Sequence, residues 1–329
     1  MKIFENYKKS LKSTETEDWL DLRVVRPFSY LLALLFDKFD IYPNTVTIWS
    51  MIIGVASCWG YVHGSFFYEG TDGLWFNVIA CLLLFAADIL DCTDGQLARL
   101  SGKKSKWGRI LDGMAGPVWF VPIYLCIVYR FYNCHTLEFG WLGIADTPEN
   151  IMIATAVVLV LALISGFGGM TGQQRIADYY IQIHLFMLKG EKGCELDTVE
   201  AQQAAYDKLP KDSNPIWKAF QKSYIGYTQK QEDATPLFQA LMKKVKEKYG
   251  SADNMPADMH QRLLECSRKI MPWNAMLTFN FRTGIFFVFC LLDLPVENFL
   301  FEIIVLGLLT RWIISTHERC CRQILSEMI

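Results

Sequence analysis

The stretch Leu74-Trp-Phe-Asn-Val-Ile-Ala-Cys-Leu-Leu-Leu-Phe-Ala-Ala-Asp88-Ile-Leu-Asp91-Cys-Thr-Asp94-Gly95-Gln-Leu-Ala98-Arg99 decides how this chain is read. Its first part is apolar and about long enough to enter a bilayer as a helix, and its end carries three carboxylates. Carboxylates in that position need a compensating partner, and a bound divalent cation is the simplest one. Asp112, in the next apolar stretch, is a fourth candidate for the same partner.

Outward from this point the apolar pattern repeats. Stretches at 46–66, 74–90, 110–132, 151–167, 276–294 and 299–314 predict six transmembrane helices, the last two interrupted by Arg282 and Arg311. This distribution accounts for the 52% hydrophobic composition of a 329-residue chain and its mean hydropathy of +0.19. The expected fold class is all-α, a polytopic membrane protein with an N-terminal interfacial amphipathic helix and a cytoplasmic helical insertion. Six buried helices of a soluble protein are the alternative. The expected divisions are a cytoplasmic or interfacial segment (1–45), four spans holding the acidic site (46–175), the insertion (176–272), two spans (273–317) and a cytoplasmic tail (318–329).

Lys and Arg crowd 1–45, 103–109, the segment after Met170 and the tail after Thr316, whereas the loops at 66–72, 130–149 and 293–298 carry almost none beyond Arg130. The positive-inside rule then expects both termini and the acidic cluster in the cytoplasm, as in a bacterial inner membrane. Met1 to Trp19 is polar and charged, with no cleavable signal pattern. A net charge of −2 gives no reason to expect nucleic-acid binding. Ten cysteines show no paired framework and read as free thiols. Cys92 beside Asp91 points away from its neighbour on a helix, and Cys320 with Cys321 reads as plain tail rather than a zinc or lipid site.

Residues 19–39 mix apolar and charged side chains at helical spacing. Leu20, Leu22, Phe28, Leu31, Leu32 and Leu35 suit lipid or the bundle, while Arg23, Arg26 and Lys38 suit headgroups. Pro43-Asn44-Thr45-Val46-Thr47 starts the first span, with proline in the first turn and Asn44 or Thr45 able to cap free amides.

Asp88, Asp91 and Asp94, spaced by three, fall within a band of about 120 degrees on one helix and can face one cavity. Gly95 allows close approach of a substrate or helix, Ala98 keeps the same region small, and Arg99 can pair with phosphate or carboxylate. Such crowded carboxylates repel unless a cation or proton intervenes, and an oxygen-only donor set suits Mg2+ or Mn2+. Lys103, Lys104, Lys106 and Arg109 are placed to attract an anionic headgroup or to set topology. Gly108 opens the third span, Asp112 can close the cage from the facing helix, and Gly113, Gly116 and Pro117 thin and kink that helix.

The stretch Asp91-x-x-Asp94-Gly95-x-x-Ala98-Arg99, followed after eight residues by Gly108-x-x-x-Asp112, resembles the signature of the CDP-alcohol phosphotransferases. These are integral membrane enzymes that join a CDP-linked alcohol to a second alcohol with release of CMP. The resemblance covers about residues 20–180, including the Pro43, Asn44, Val46, Thr47 entry. It implies that Asp91, Asp94 and Asp112 bind two Mg2+ or Mn2+ ions and the CDP diphosphate. It further implies that Gly95, Ala98 and Gly108 line the nucleotide site, that Arg99 holds that region, and that the chain pairs as a homodimer.

The family signature ends in a fourth aspartate, a metal ligand and general base, where this chain has Gly116. A glycine can neither orient a hydroxyl nor take its proton. Asp88 is one compensation, as ligand or base. Asp178, His184 or Glu318 is another source of the base; a site without a dedicated base and loss of activity are the remaining readings.

Beyond the fourth span, Gly166 to Gly172 reads as a flexible helix end, with Arg175 able to grip a phosphate or headgroup. The insertion predicts helices at 176–189, 200–208, 215–228, 236–249 and 257–269, forming a cap or a surface insertion. Tyr224, Tyr227, Gln229 and Gln231 suggest a polyol pocket or plain aromatic packing. Arg311 can snorkel, Arg282 with Asn280 is expected to face a polar cavity or headgroup, and His317 to mark a helix end. The expected partners are a CDP-linked lipid or alcohol, a polar or lipid acceptor (an inositol-type acceptor is favoured) and membrane phospholipid. The rival class is a noncatalytic member that binds nucleotide or lipid and supports a partner enzyme.

Overall fold

The computed structural model describes residues 7, 15, 16, 19, 21–103, 105–210 and 212–328, and these contain helices and no strand. The main helices are α1 (Arg26–Lys38), α2 (Pro43–Val62), α3 (Thr71–Ser101), α4 (Lys106–Asn133), α5 (Thr136–Leu142), α6 (Pro148–Leu163), α7 (Thr171–Lys189), α8 (Val199–Asp207), α9 (Pro215–Asp233), α10 (Pro236–Tyr249), α11 (Ala257–Asn274), α12 (Phe279–Leu291), α13 (Glu297–Leu300) and α14 (Gly307–Glu327). Five stretches are long and apolar enough to cross a membrane: Pro43–Val62, Thr71–Ser101, Met114–Asn133, Pro148–Lys189 and Glu297–Glu327. The pair Ala257–Leu277 and Phe279–Leu291, bent by 42°, passes the same test together, which brings the number to six when it is counted as one span. The chain is an all-α polytopic membrane protein.

It divides into two compact units, Met1–Met170 with Phe279–Val305, and Thr171–Thr278 with Leu306–Ile329. In the first, π-helical Asp21–Val25 leads into α1. Phe28, Leu31 and Leu35 of α1 are exposed, while Ser29, Tyr30 and Ala33 are buried. Ser29 Oγ donates to the Ile89 carbonyl at 2.9 Å, which seats this amphipathic helix on α3. Leu20, expected on its apolar face, and Lys104 lie outside the described residues.

Neither Asn44 nor Thr45 caps α2, contrary to expectation. The N-cap is Tyr42, which makes no side-chain cap hydrogen bond, and Pro43 occupies the first turn and already removes one free amide. α4 runs on through Pro117 and Pro122 as one helix. The glycine-rich run after α6 is not a helix end. Ile164–Met170 is π-helical and passes into α7.

Apolar burial drives helix association weakly in lipid, so close approach and polar contacts carry more of it. A Cβ added at Gly54 of α2 would stand 2.2 Å from the Trp119 ring of α4, and one at Gly60 2.5 Å from the Phe76 carbonyl of α3. Two buried ionic groups reinforce the first unit. Arg130 pairs with Asp293 and donates to Asn77 Oδ1 at 3.1 Å, while Ser65 Oγ donates to the other Asp293 oxygen at 2.9 Å. Glu302 accepts from Tyr124 OH at 2.6 Å and from Ser165 Oγ. Arg282, expected at a cavity or headgroup, is 2% exposed with its Nη1 3.5 Å from Glu302 Oε1. Ser165 and Glu302 both lie in π-helical segments, Ile164–Met170 and Phe301–Leu306.

In the second unit, α7, α10, α11 and α14 bury Ile183, Phe238, Leu241, Leu263, Ile270 and Ile313. Glu318 caps α10, accepting from the Leu237 amide at 2.7 Å and the Phe238 amide at 3.1 Å. Asn274 Nδ2 donates to the Ala177 carbonyl at 3.0 Å, tying α11 to α7. Along α9, Trp217, Phe220, Tyr224 and Tyr227 stack ring on ring, with centroids 5.6, 6.2 and 5.9 Å apart. Tyr224 OH donates to Asp197 at 2.7 Å, and Gln231 Nε2 to the Arg175 carbonyl at 3.2 Å.

Candidate active site

The acidic end of α3 is held from two sides. Thr47, one turn into α2, donates its hydroxyl to Asp94 Oδ2, an effect that the sequence reading missed by treating the entry motif as a cap. Gln96 Nε2 donates to the Arg26 carbonyl of α1 at 3.4 Å, which lays the start of α1 beside the acidic face. Asp88 is 7% and Asp94 4% exposed, Asp91 is half-buried, and Asp112 on α4 is exposed.

Asp88, Asp94 and Asp112 all lie within electrostatic reach of Asp91. Asp112 and Arg99 are likewise in reach of Asp94. The Arg26 guanidinium lies in reach of Asp91 and Cys92, a cation that the sequence placed at headgroups. At ordinary pH four crowded carboxylates exceed the two neighbouring arginines in charge.

Asp91 Oδ1 is buried and accepts no hydrogen bond among the described residues. Buried carboxylate oxygens otherwise have partners, and oxygen donors are the chemistry that hard divalent cations such as Mg2+ or Mn2+ take.

Glycines shape the surroundings. A Cβ on Gly95 would meet only the Arg99 guanidinium, at 3.5 Å, so the chain itself does not require glycine there. At Gly108 the added atom would stand 2.8 Å from Asn44 Oδ1 and 3.0 Å from Ser105 Oγ. Ser105 caps α4 through the Gly108 amide at 2.8 Å, so Gly108 is where the entry of α2 meets the start of α4. Ala98 is half-buried on the same helix. At Gly116 an added Cβ meets nothing within 4 Å.

Of the expected headgroup cations, the side chain of Arg109 lies outside the described residues. Lys103 pairs with Asp40, whose carboxylate holds the ammonium above its ordinary range. Arg175, in the second unit, lies 5.9 Å over the Tyr227 ring, and its buried Nε makes no hydrogen bond among the described residues. In that unit Tyr227 OH donates to Asp178 at 3.5 Å, and burial with the neighbouring Asp178 charge pushes the phenol up. His184 Nδ1 lies 2.8 Å from Ser267 Oγ, and Glu318 is the cap of α10. Each alternative base thus has a local partner.

Residues 40–168 match the sequence model of the CDP-alcohol phosphatidyltransferase family. Over 107 residues the chain is 33% identical to a CDP-diacylglycerol–serine O-phosphatidyltransferase of Helicobacter pylori strain 26695, and 34% identical to that of strain J99. Each match covers 32% of this chain and 38% of the relative, well under two thirds of the relatives' length. No solved structure matches.

Proposed function

We infer that this chain is a CDP-alcohol phosphotransferase of phospholipid synthesis that uses CDP-diacylglycerol and a small polar alcohol, with its site and termini in the cytoplasm. The observation that carries this reading is the gathering of Asp88, Asp91, Asp94 and Asp112 around the buried, unbonded oxygen of Asp91. The family match over 40–168 and the donor in the printed names of the two relatives support it. Serine, named for those relatives, and an inositol-type alcohol, favoured by the polar insertion, are the two acceptors to compare.

Asp91, Asp94 and Asp112, with Asp88, would hold the two divalent ions, which when bound neutralise diphosphate charge. Thr47 fixes the Asp94 carboxylate, and Arg99 over Gly95 is placed to hold a phosphate of the donor. The acceptor oxygen bonds to the phosphorus that carries the lipid alcohol, the phosphoanhydride bond to CMP breaks, and CMP leaves with the bond pair. Asp88 takes the hydroxyl proton, the task that Gly116 cannot perform. Arg175 and Arg109 are assigned to anionic headgroups.

A noncatalytic member that binds nucleotide or lipid is the second reading, and Gly116 is the observation that favours it. Binding separates the site from the chemistry. Titration of CDP into purified protein with Mn2+ should show metal-dependent binding, and Asp91→Asn and Asp112→Asn should each weaken it about tenfold or more. Unchanged binding in both variants would show that the nucleotide sits elsewhere.

A further inference from the structure

We propose that His317, Glu318 and Cys321 of α14 form a second metal site, of mixed donors, that takes a dication of the Zn2+ class. One ligand atom from each residue lies within 4.8 Å of the other two. The site is independent of the transferase reading and lies wholly in the second unit.

Residues 317 and 321 stand one turn apart on one face of α14. Both ring nitrogens of His317 are 3.9 Å from Cys321 Sγ, and Nδ1 is 4.0 Å from Glu318 Oε1. The imidazole is 1% exposed, with the rings of Tyr180 and Phe238 centred 5.0 and 5.2 Å from it. A thiol is a weak hydrogen-bond partner, so this buried imidazole is poorly satisfied by the groups at hand. A cation between the three ligand atoms would satisfy it.

Glu318 already has the support that a ligand carboxylate needs. Its two oxygens accept the Leu237 and Phe238 amides, which fix its orientation while leaving lone pairs for an ion. Charge also balances: on binding, Cys321 gives its proton to solvent, and the thiolate and carboxylate together neutralise a dication in this buried place. Imidazole, thiolate and carboxylate suit Zn2+, whereas the all-oxygen aspartate set suits Mg2+ or Mn2+. Cys266 and Cys320, in hydrogen-bond contact with each other beside the site, offer a further thiol from α11 or α14.

The test uses the full chain purified in detergent with excess Mg2+, loaded with Zn2+ alone and then with Co2+ as a spectroscopic probe. Wild type should retain about one zinc per chain, and the cobalt form should show a thiolate-to-metal charge-transfer band. Glu318→Gln should weaken zinc about tenfold, and Cys321→Ser and His317→Gln should abolish retention, while Asp91→Asn keeps it. If His317→Gln does not fold, Cys321→Ser decides alone. Wild type that takes up no zinc, or Cys321→Ser that retains it as wild type does, overturns the proposal. Retention that disappears in Cys266→Ser yet persists in Cys321→Ser overturns it too.

Discussion

At the residue scale the proposed chemistry rests on Asp88 of α3, because Gly116 of α4 carries no side chain that could serve as a base. Asp88 is 7% exposed and in reach of Asp91, while Gly116 of α4 has open space for a side chain. If Asp88 supplies the base, Asp88→Asn should slow CMP release by about a hundredfold or more, and adding Gly116→Asp should restore part of it. Turnover that is unchanged in Asp88→Asn would remove Asp88 from the mechanism. Gly95→Ala separates substrate from scaffold, because an added Cβ there meets only Arg99 at 3.5 Å. The fold should be unaffected and nucleotide affinity should fall by about 1–3 kcal/mol, as for an overfilled pocket. A variant that binds CDP as wild type does would mean that the nucleotide does not approach Gly95. Asp88, Asp91 and Asp94 were legible because they repeat on the helical period, and Asp112, on the next helix, through the signature that the stretch resembles. Thr47 on Asp94 was not, since a hydroxyl near a helix start reads as a cap until the facing helix is in place.

At the scale of elements, buried ion pairs join helices distant in sequence. Glu302 meets Arg282, Tyr124 and Ser165 from two π-helical segments and two other helices. Glu302→Ala would leave Arg282 buried without this carboxylate and should destabilise the folded protein by about 3–5 kcal/mol, whereas Glu302→Ala with Arg282→Met should recover much of the loss. Equal melting of single and double variants would contradict that coupling. α5 offers a pH test outside the spans. Burial, then the charges of Glu297 and Asp293, pushes the Glu138 carboxyl up from 4.5 to about 7. A folded value above the unfolded one means that the folded chain binds more protons in that window, so this group lowers stability as pH rises from about 4.5 to about 7. Glu138→Gln should flatten that decline and melt higher than wild type at pH about 8; an unaltered pH profile would contradict it. α10 was fully legible, from Pro236 in its first turn to Gly250 at φ +81 just past its end. The π-helical segments were not, because nothing local distinguishes Gly166 to Gly172 from a helix end until Ser165 meets Glu302.

For the whole molecule, five apolar stretches were readable because each is continuous and long enough to span lipid, whereas the stretch at 276–294 passes only as part of a bent pair that begins at Ala257. What was unreadable is pairing across the bundle. Arg130 looked like an exception to a charge rule and proves to be the buried partner of Asp293, 163 residues away. In the proposed function the acidic end of α3 and Asp112 serve metal-dependent transfer from a CDP-linked lipid. The most direct measurement is CMP release by the purified full chain in lipid vesicles with Mn2+, CDP-diacylglycerol and either serine or inositol. CMP release should require both the metal and one of the two acceptors and should be lost in Asp91→Asn. Binding of CDP without CMP release in either arm would contradict the proposed function.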